Sequence, residues 1–97
     1  MNEKIERIEK MEIILDQLTE IFSKSDETFD ILMGSLPKLK ELVEYYETDW
    51  REDHRADERN EIPKDLKRGV LSEDAVYNLL FDYRTMTKKM EKIISEF

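Results

Sequence analysis

The residues best suited to chemistry lie in the second half of the chain, around its only histidine, His54. On a helix, His54 and Glu58 would share a face, as would Asp53 and Asp57. Such imidazole and carboxylate groups could hold a divalent metal ion. With no second histidine and no apolar surroundings, the pattern is more typical of a solvated charged face. We therefore expect an exposed His54 that binds no metal.

A basic trio follows in the stretch PKDLKRGVLSED, residues 63–74. Lys64, Lys67 and Arg68 could bind a phosphate or an acidic partner. They could also pair with the many acidic side chains nearby, and the sequence favours this second explanation.

The same stretch has the residues that end one helix and begin another. Pro63 suits the first position of a short helical turn, and Gly69 suits the left-handed residue that ends it. Ser72 is the predicted N-cap of the next helix. Leu71 before this cap is expected to meet Val76 after it, as a hydrophobic staple, or to touch the core.

Several classes of catalytic site are excluded or unsupported. The chain has no cysteine, which removes thiolate catalysis and disulfides. Its two glycines, Gly34 and Gly69, cannot build a glycine-rich phosphate loop. No strained nucleophile elbow accompanies the histidine, and the 24 acidic residues offer carboxylate pairs without a distinguishing pattern. We therefore expect a protein without a catalytic residue or a cofactor, and one that is not an enzyme.

Length and charge restrict the remaining possibilities. The 97 residues have room for one domain, predicted to span 1–97. The formal net charge of −8 repels nucleic acid and anionic membranes, so neither is an expected partner. No apolar run approaches the roughly 18 residues of a membrane span, and MNEKIERIEK has no signal-peptide core. A cytoplasmic protein is expected.

The elements that must position these residues are helices. With Ile8 at heptad position a, apolar residues recur at positions a and d, which predicts a helical seam facing other helices. Phe22 and Phe29 should therefore be buried against the last helix. The a/d row reads Ile8, Met11, Leu15, Leu18, Phe22, Ser25, Phe29 and Leu32, and continues with Leu36, Leu39, Val43, Tyr46 and Trp50.

Gly34 and Pro37 predict a break or sharp kink in this row. A hairpin here is favoured, although the preserved register also fits one continuous bent helix. Residues 47–62 are interpreted as a frayed helix end or a solvated loop. The predicted fold is all-α, a small bundle of three main helices near 3–33, 36–56 and 73–96, with a short helical turn at 63–68.

Aromatic residues add a possible surface. Tyr77 and Phe81 are four residues apart on the last helix, away from its main seam. The segment 50–70 could fold back and cover them, which is the favoured explanation, or they could form an apolar stripe for a partner.

The stretch PKDLKRGVLSEDAVYNLL, together with ERIEKME, PKLKELVEYY and DWREDHRADE, resembles DUF4298, a family of small bacterial proteins named as a domain of unknown function. The resemblance covers almost the whole chain. The chain differs from the family pattern at Ile62, where leucine is common, at Gly34 and at Phe81. The family implies a bacterial, cytoplasmic, helical protein and supplies no activity or site residue.

The leading functional hypothesis is a non-enzymatic protein–protein interaction module or homo-oligomer. The alternative is a ligand- or metal-binding protein that uses the 45–78 region, with Trp50, Arg51, Asp53, His54, Asp57, Lys64, Arg68 and Tyr77 as candidates. The candidate interaction surface consists of Trp50, Arg51, His54, Lys64, Lys67, Arg68, Tyr77 and Phe81.

Overall fold

The structure is a computed structural model that describes residues 2–97. It contains helices α1 (Asn2–Glu47), α2 (Trp50–Glu58) and α3 (Ala75–Ser95), with a single 3-10 turn, Gly69–Leu71, before α3. No strand occurs in residues 2–97, so the predicted all-α class is confirmed. No helix among these residues is both long enough and apolar enough to cross a membrane.

Helix α1 runs through Gly34 and Pro37 without interruption, so the predicted hairpin is wrong. Proline removes one backbone donor and costs about 3 kcal/mol inside a helix. The apolar register nevertheless continues on both sides, from Leu32 to Leu36. The hydroxyl of Ser35 donates to the backbone carbonyl of Leu32 at 2.7 Å, within the same helix.

The chain divides into two compact units, Met1–Lys38 and Leu39–Phe97, which are described separately. In its described residues the first unit is a single stretch of helix. Phe22 is 68% exposed and Phe29 is 41% exposed, so their predicted burial is wrong. This unit holds no second element that could cover them. The opposite, polar side carries an ion pair between Lys24 and Glu20 at 3.0 Å.

In the second unit, α1 ends at Glu47 and α2 begins three residues later at Trp50. The backbone N–H of Thr48 still reaches the carbonyl of Glu44, at 3.1 Å. The predicted single helix over 36–56 is therefore divided between α1 and α2. No glycine or proline marks this turn, so composition gave no sign of it.

Residues 50–58 form a regular helix rather than the predicted frayed end, and α2 stops at a left-handed residue, Asn60, with φ of 59°. The N–H of Asn60 donates to the carbonyl of Asp57 at 3.0 Å, and that of Glu61 donates to Ala56 at 2.9 Å. This pair of bonds is a Schellman motif, which satisfies the last carbonyls of a helix.

Residues 63–74 form a turn and then the 3-10 turn. Leu66 N–H donates to the carbonyl of Pro63 at 3.1 Å, which places a turn where one was predicted. Gly69, however, does not end this turn in a left-handed conformation: it begins the 3-10 turn, and no glycine among residues 2–97 has positive φ. The predicted left-handed position is wrong, because Gly69 is part of the 3-10 turn. The left-handed residue of this region is Asn60, which ends α2 instead.

Helix α3 begins within two residues of its predicted start, but without the predicted Ser72 cap. Asp74 is the N-cap residue, and no side chain caps the helix. Ser72 lies at the end of the 3-10 turn in an extended conformation. Leu71 and Val76 are the two buried apolar residues of the described chain, 6% and 2% exposed, so the core position predicted for Leu71 is confirmed. The 3-10 turn contacts both α2 and α3.

Candidate functional site

Two ring side chains of α2 link this helix to the 3-10 turn. Trp50 and His54 are one helical turn apart and stack with ring centroids 4.7 Å apart and planes 9° from parallel. The ring centroid of Tyr46, near the end of α1, lies 5.2 Å from that of Trp50, with the two planes tilted by 58°. Tyr46, Trp50 and His54 are called the ring cluster below. Its spacing of four residues is the sequence signal that could have predicted it.

The ring cluster is bonded to the 3-10 turn. Trp50 Nε1 donates to the carbonyl of Val70, and His54 Nδ1 bonds to the carbonyl of Leu71, both at 2.8 Å. Because a carbonyl oxygen only accepts, His54 Nδ1 must carry the hydrogen. The second nitrogen, Nε2, lies 3.2 Å from a carboxylate oxygen of Glu58 and 3.7 Å from one of Glu73.

The side chain of His54 is only 20% exposed, so the prediction of an exposed histidine is wrong. The prediction failed because it considered only the neighbours of His54 along α2. The backbone of residues 70 and 71, distant in sequence, supplies its partner.

Arg68 connects the loop that follows α2 to α2 itself. Its Nη1 lies 3.2 Å from Asp57 Oδ1 and donates to the carbonyl of Ile62 at 3.3 Å. The expected pairing with nearby acids is therefore confirmed for Arg68. Lys64 and Lys67 are exposed, and neither forms an ion pair within residues 2–97. The expected pairing is therefore wrong for Lys64 and Lys67.

Tyr45 makes a separate link between α1 and α2. Its hydroxyl donates to Asp53 Oδ2 at 2.7 Å. Burial, followed by this hydrogen bond and the nearby negative charge of Asp53, raises the pKa of Tyr45 to about 12. The phenol therefore stays neutral at physiological pH, where its role is to join the two helices.

The remaining candidates lie on the surface. Arg51 is exposed, and Tyr77 and Phe81 are 61% and 60% exposed. The favoured explanation, that the 50–70 segment covers these aromatics, is therefore wrong. An open depression of about 380 Å³ lies beside the ring cluster, lined by Tyr46, Glu47, Thr48, Trp50 and Arg51.

Of the eight predicted surface residues, Trp50 and His54 stack on each other, and these two and Arg68 all form contacts between α2 and the loop that follows it. Their polar atoms bond to backbone carbonyls and to Asp57. Across residues 2–97, no group of three or more potential metal ligands converges. The expectation that His54 binds no metal stays a prediction.

Comparison with known families now places the chain. The model of the family described as Domain of unknown function (DUF4298) matches residues 8–93. This chain belongs to the DUF4298 family. No curated protein and no solved structure matches it. The match covers α2, the 3-10 turn and nearly all of α1 and α3 of this DUF4298 chain, but the family brings no activity with it.

Proposed function

We propose that this DUF4298 chain is a non-enzymatic interaction module that self-associates through the first unit. The surface concerned is the α1 stripe, defined as the a and d residues from Ile8 to Leu32. The observation that carries the proposal is its exposure. The stripe consists of Ile8, Met11, Leu15, Leu18, Phe22, Ser25, Phe29 and Leu32, and of these only Ser25 and Leu32 are half-buried while the rest are exposed.

An exposed stripe of this length is unfavourable for a lone helix in water. Most helical stability in proteins comes from packing an apolar face against another element. Contiguous exposed apolar surface is typical of protein–protein contact sites. Ile14 and Ile21, at the flanking g positions, are also exposed and widen the apolar face.

A second copy of the chain is the partner that the repeat favours. A regular 3.5-residue spacing matches another helix with the same spacing, because knobs and holes then recur together. The ion pair between Lys24 and Glu20 lies away from the stripe and leaves it free for such contact. The proposal of an interaction module rests on this face, and not on the polar residues of α2, which already bind the chain's own loop.

The test compares two neighbouring substitutions that add the same charge. Leu18→Glu places a carboxylate on the α1 stripe, and Gln17→Glu places one on the exposed polar side. Sedimentation equilibrium over a range of protein concentrations measures association. We expect wild type and Gln17→Glu to associate alike, and Leu18→Glu to weaken association by at least about tenfold, because a charge buried in an apolar contact is costly.

Circular dichroism and urea titration accompany the measurement. Leu18 is 44% exposed within one chain, so Leu18→Glu should leave the folding of the second unit unchanged. A wild-type chain that remains monomeric at every concentration would contradict the proposal. Equal association of the two variants would show that the contact lies elsewhere.

A further inference from the structure

We infer that the α1 stripe pairs with its copy in parallel and in register. This inference rests on the proposed self-association and specifies its geometry. Two independent features of residues 5–32 support it, the charges that flank the stripe and the order of large and small side chains along it.

Three charged residues flank the stripe at heptad positions e and g: Arg7 at g, with Glu12 and Asp26 at e. In a parallel pair, each g residue faces the e residue five positions later in the partner helix. Arg7 of each copy then faces Glu12 of the other copy, so the pair contains two contacts between opposite charges. Asp26 faces Ile21 and meets no like charge.

An antiparallel pair with full overlap gives the opposite result. Aligning Ile8 with Leu32 of the other copy places Glu12 beside Asp26 on both sides of the contact. Arg7 is then left facing Ser35 at g. The carboxylates of Glu12 and Asp26 repel each other, and Arg7 has no acidic partner. Charge complementarity therefore favours the parallel arrangement.

The order of side-chain sizes favours the same arrangement. Ser25 is the one small polar residue of the stripe, and it lies between Phe22 and Phe29. In a parallel, in-register pair, two phenylalanine layers flank a thin serine layer. Alternation of large and small residues lets layers interlock, and paired aromatic rings add favourable contacts. In the antiparallel pair Ser25 faces Leu15, and both phenylalanines face aliphatic side chains.

The chain has no cysteine, so single cysteines report the arrangement without background. Ser25→Cys is the test variant, because parallel in-register pairing places the two residues 25 in one layer. Ser23→Cys, which points away from the stripe, is the control. Both are oxidised under mild conditions at a concentration where sedimentation shows association, and disulfide-linked dimers are quantified on non-reducing gels.

We expect Ser25→Cys to form linked dimers at least about tenfold faster than Ser23→Cys. A mixture of Leu15→Cys and Ser25→Cys chains distinguishes the antiparallel arrangement, which would link position 15 of one chain to position 25 of the other. Such mixed links, or an associated Ser25→Cys chain that fails to cross-link, would overturn the inference while the proposed self-association stands. A monomeric chain in sedimentation would remove both.

Discussion

Replacing His54 separates the two interactions by which α2 holds the 3-10 turn. His54→Phe keeps a ring that can stack on Trp50 but removes the donor to the Leu71 carbonyl. His54→Asn keeps a donor at the position of Nδ1 but removes the ring. Phenylalanine, asparagine and histidine have similar helix propensities, so the helix itself is perturbed little by either change.

The two losses differ in expected size. The bond from His54 to Leu71 is 2.8 Å long and half-buried. A buried acceptor left without its donor costs about 1–3 kcal/mol, which is the expected loss for His54→Phe. An aromatic pair contributes about 0.5–1.5 kcal/mol, which is the expected loss for His54→Asn. His54→Ala removes both interactions and should cost about 1.5–4.5 kcal/mol.

Urea denaturation followed by tryptophan fluorescence measures these losses directly, because Trp50 is the only tryptophan and stacks on His54. Hydrogen exchange adds a local readout at the N–H of Ser72, which bonds to the carbonyl of Gly69. Arg55→Ala, an exposed change on the same helix, is the matched control and should stay within about 0.5 kcal/mol of wild type. If His54→Phe also stayed within about 0.5 kcal/mol, the bond to Leu71 would not hold the 3-10 turn.

Two further predictions concern the second unit. Asn60→Ala should destabilise the fold by about 1–2 kcal/mol in urea titration, because alanine is strained at positive φ, whereas Asn60→Gly should be tolerated. Gly69→Ala should be neutral or stabilising by up to about 1 kcal/mol, since no atom lies within 4 Å of the added methyl group; a loss as large as that of Asn60→Ala would refute this contrast. The pKa of Tyr45, raised to about 12, should appear as a step near pH 12 in a tyrosinate absorbance titration and disappear in Tyr45→Phe. Because the folded state holds this proton more tightly, the contribution to stability is present below the ordinary pKa of 10.0 and is lost as pH rises from about 10 to 12; a titration without the step near pH 12 would contradict it.

The features that the sequence predicted correctly depend on local, repeating patterns. Helix α3 begins within two residues and ends within one residue of the predicted 73–96, because the turn residues of 63–74 lie directly before it. The burial of Leu71 followed from its position before the start of a helix. The all-α class followed from the absence of any alternating, strand-like segment.

The features that could not be predicted depend on competition between local preference and distant contacts. Pro37 is a strong local signal for a break, yet the helix continues, and the apolar register on either side is the only sign of this in the sequence. Gly69 was predicted to be left-handed because glycine has a strong intrinsic preference for that conformation, whereas the left-handed residue of the structure is Asn60, at the end of α2. His54 was judged from its charged neighbours, whereas its main partner is a carbonyl 17 residues away.

The residues that stabilise the second unit and the residues proposed for self-association are different, and this separation can be tested. The polar and aromatic residues that first suggested a binding site, Trp50, His54 and Arg68, have partners within the second unit. The α1 stripe is different, because its side chains are largely exposed in the single chain. Substitutions at His54 should therefore lower the free energy of unfolding. They should leave the association constant unchanged when it is measured without urea, where the variant is folded. Leu18→Glu should leave the free energy of unfolding of the second unit unchanged and lower the association constant. If one substitution changed both quantities together, folding of the second unit and pairing of α1 would be a single coupled process.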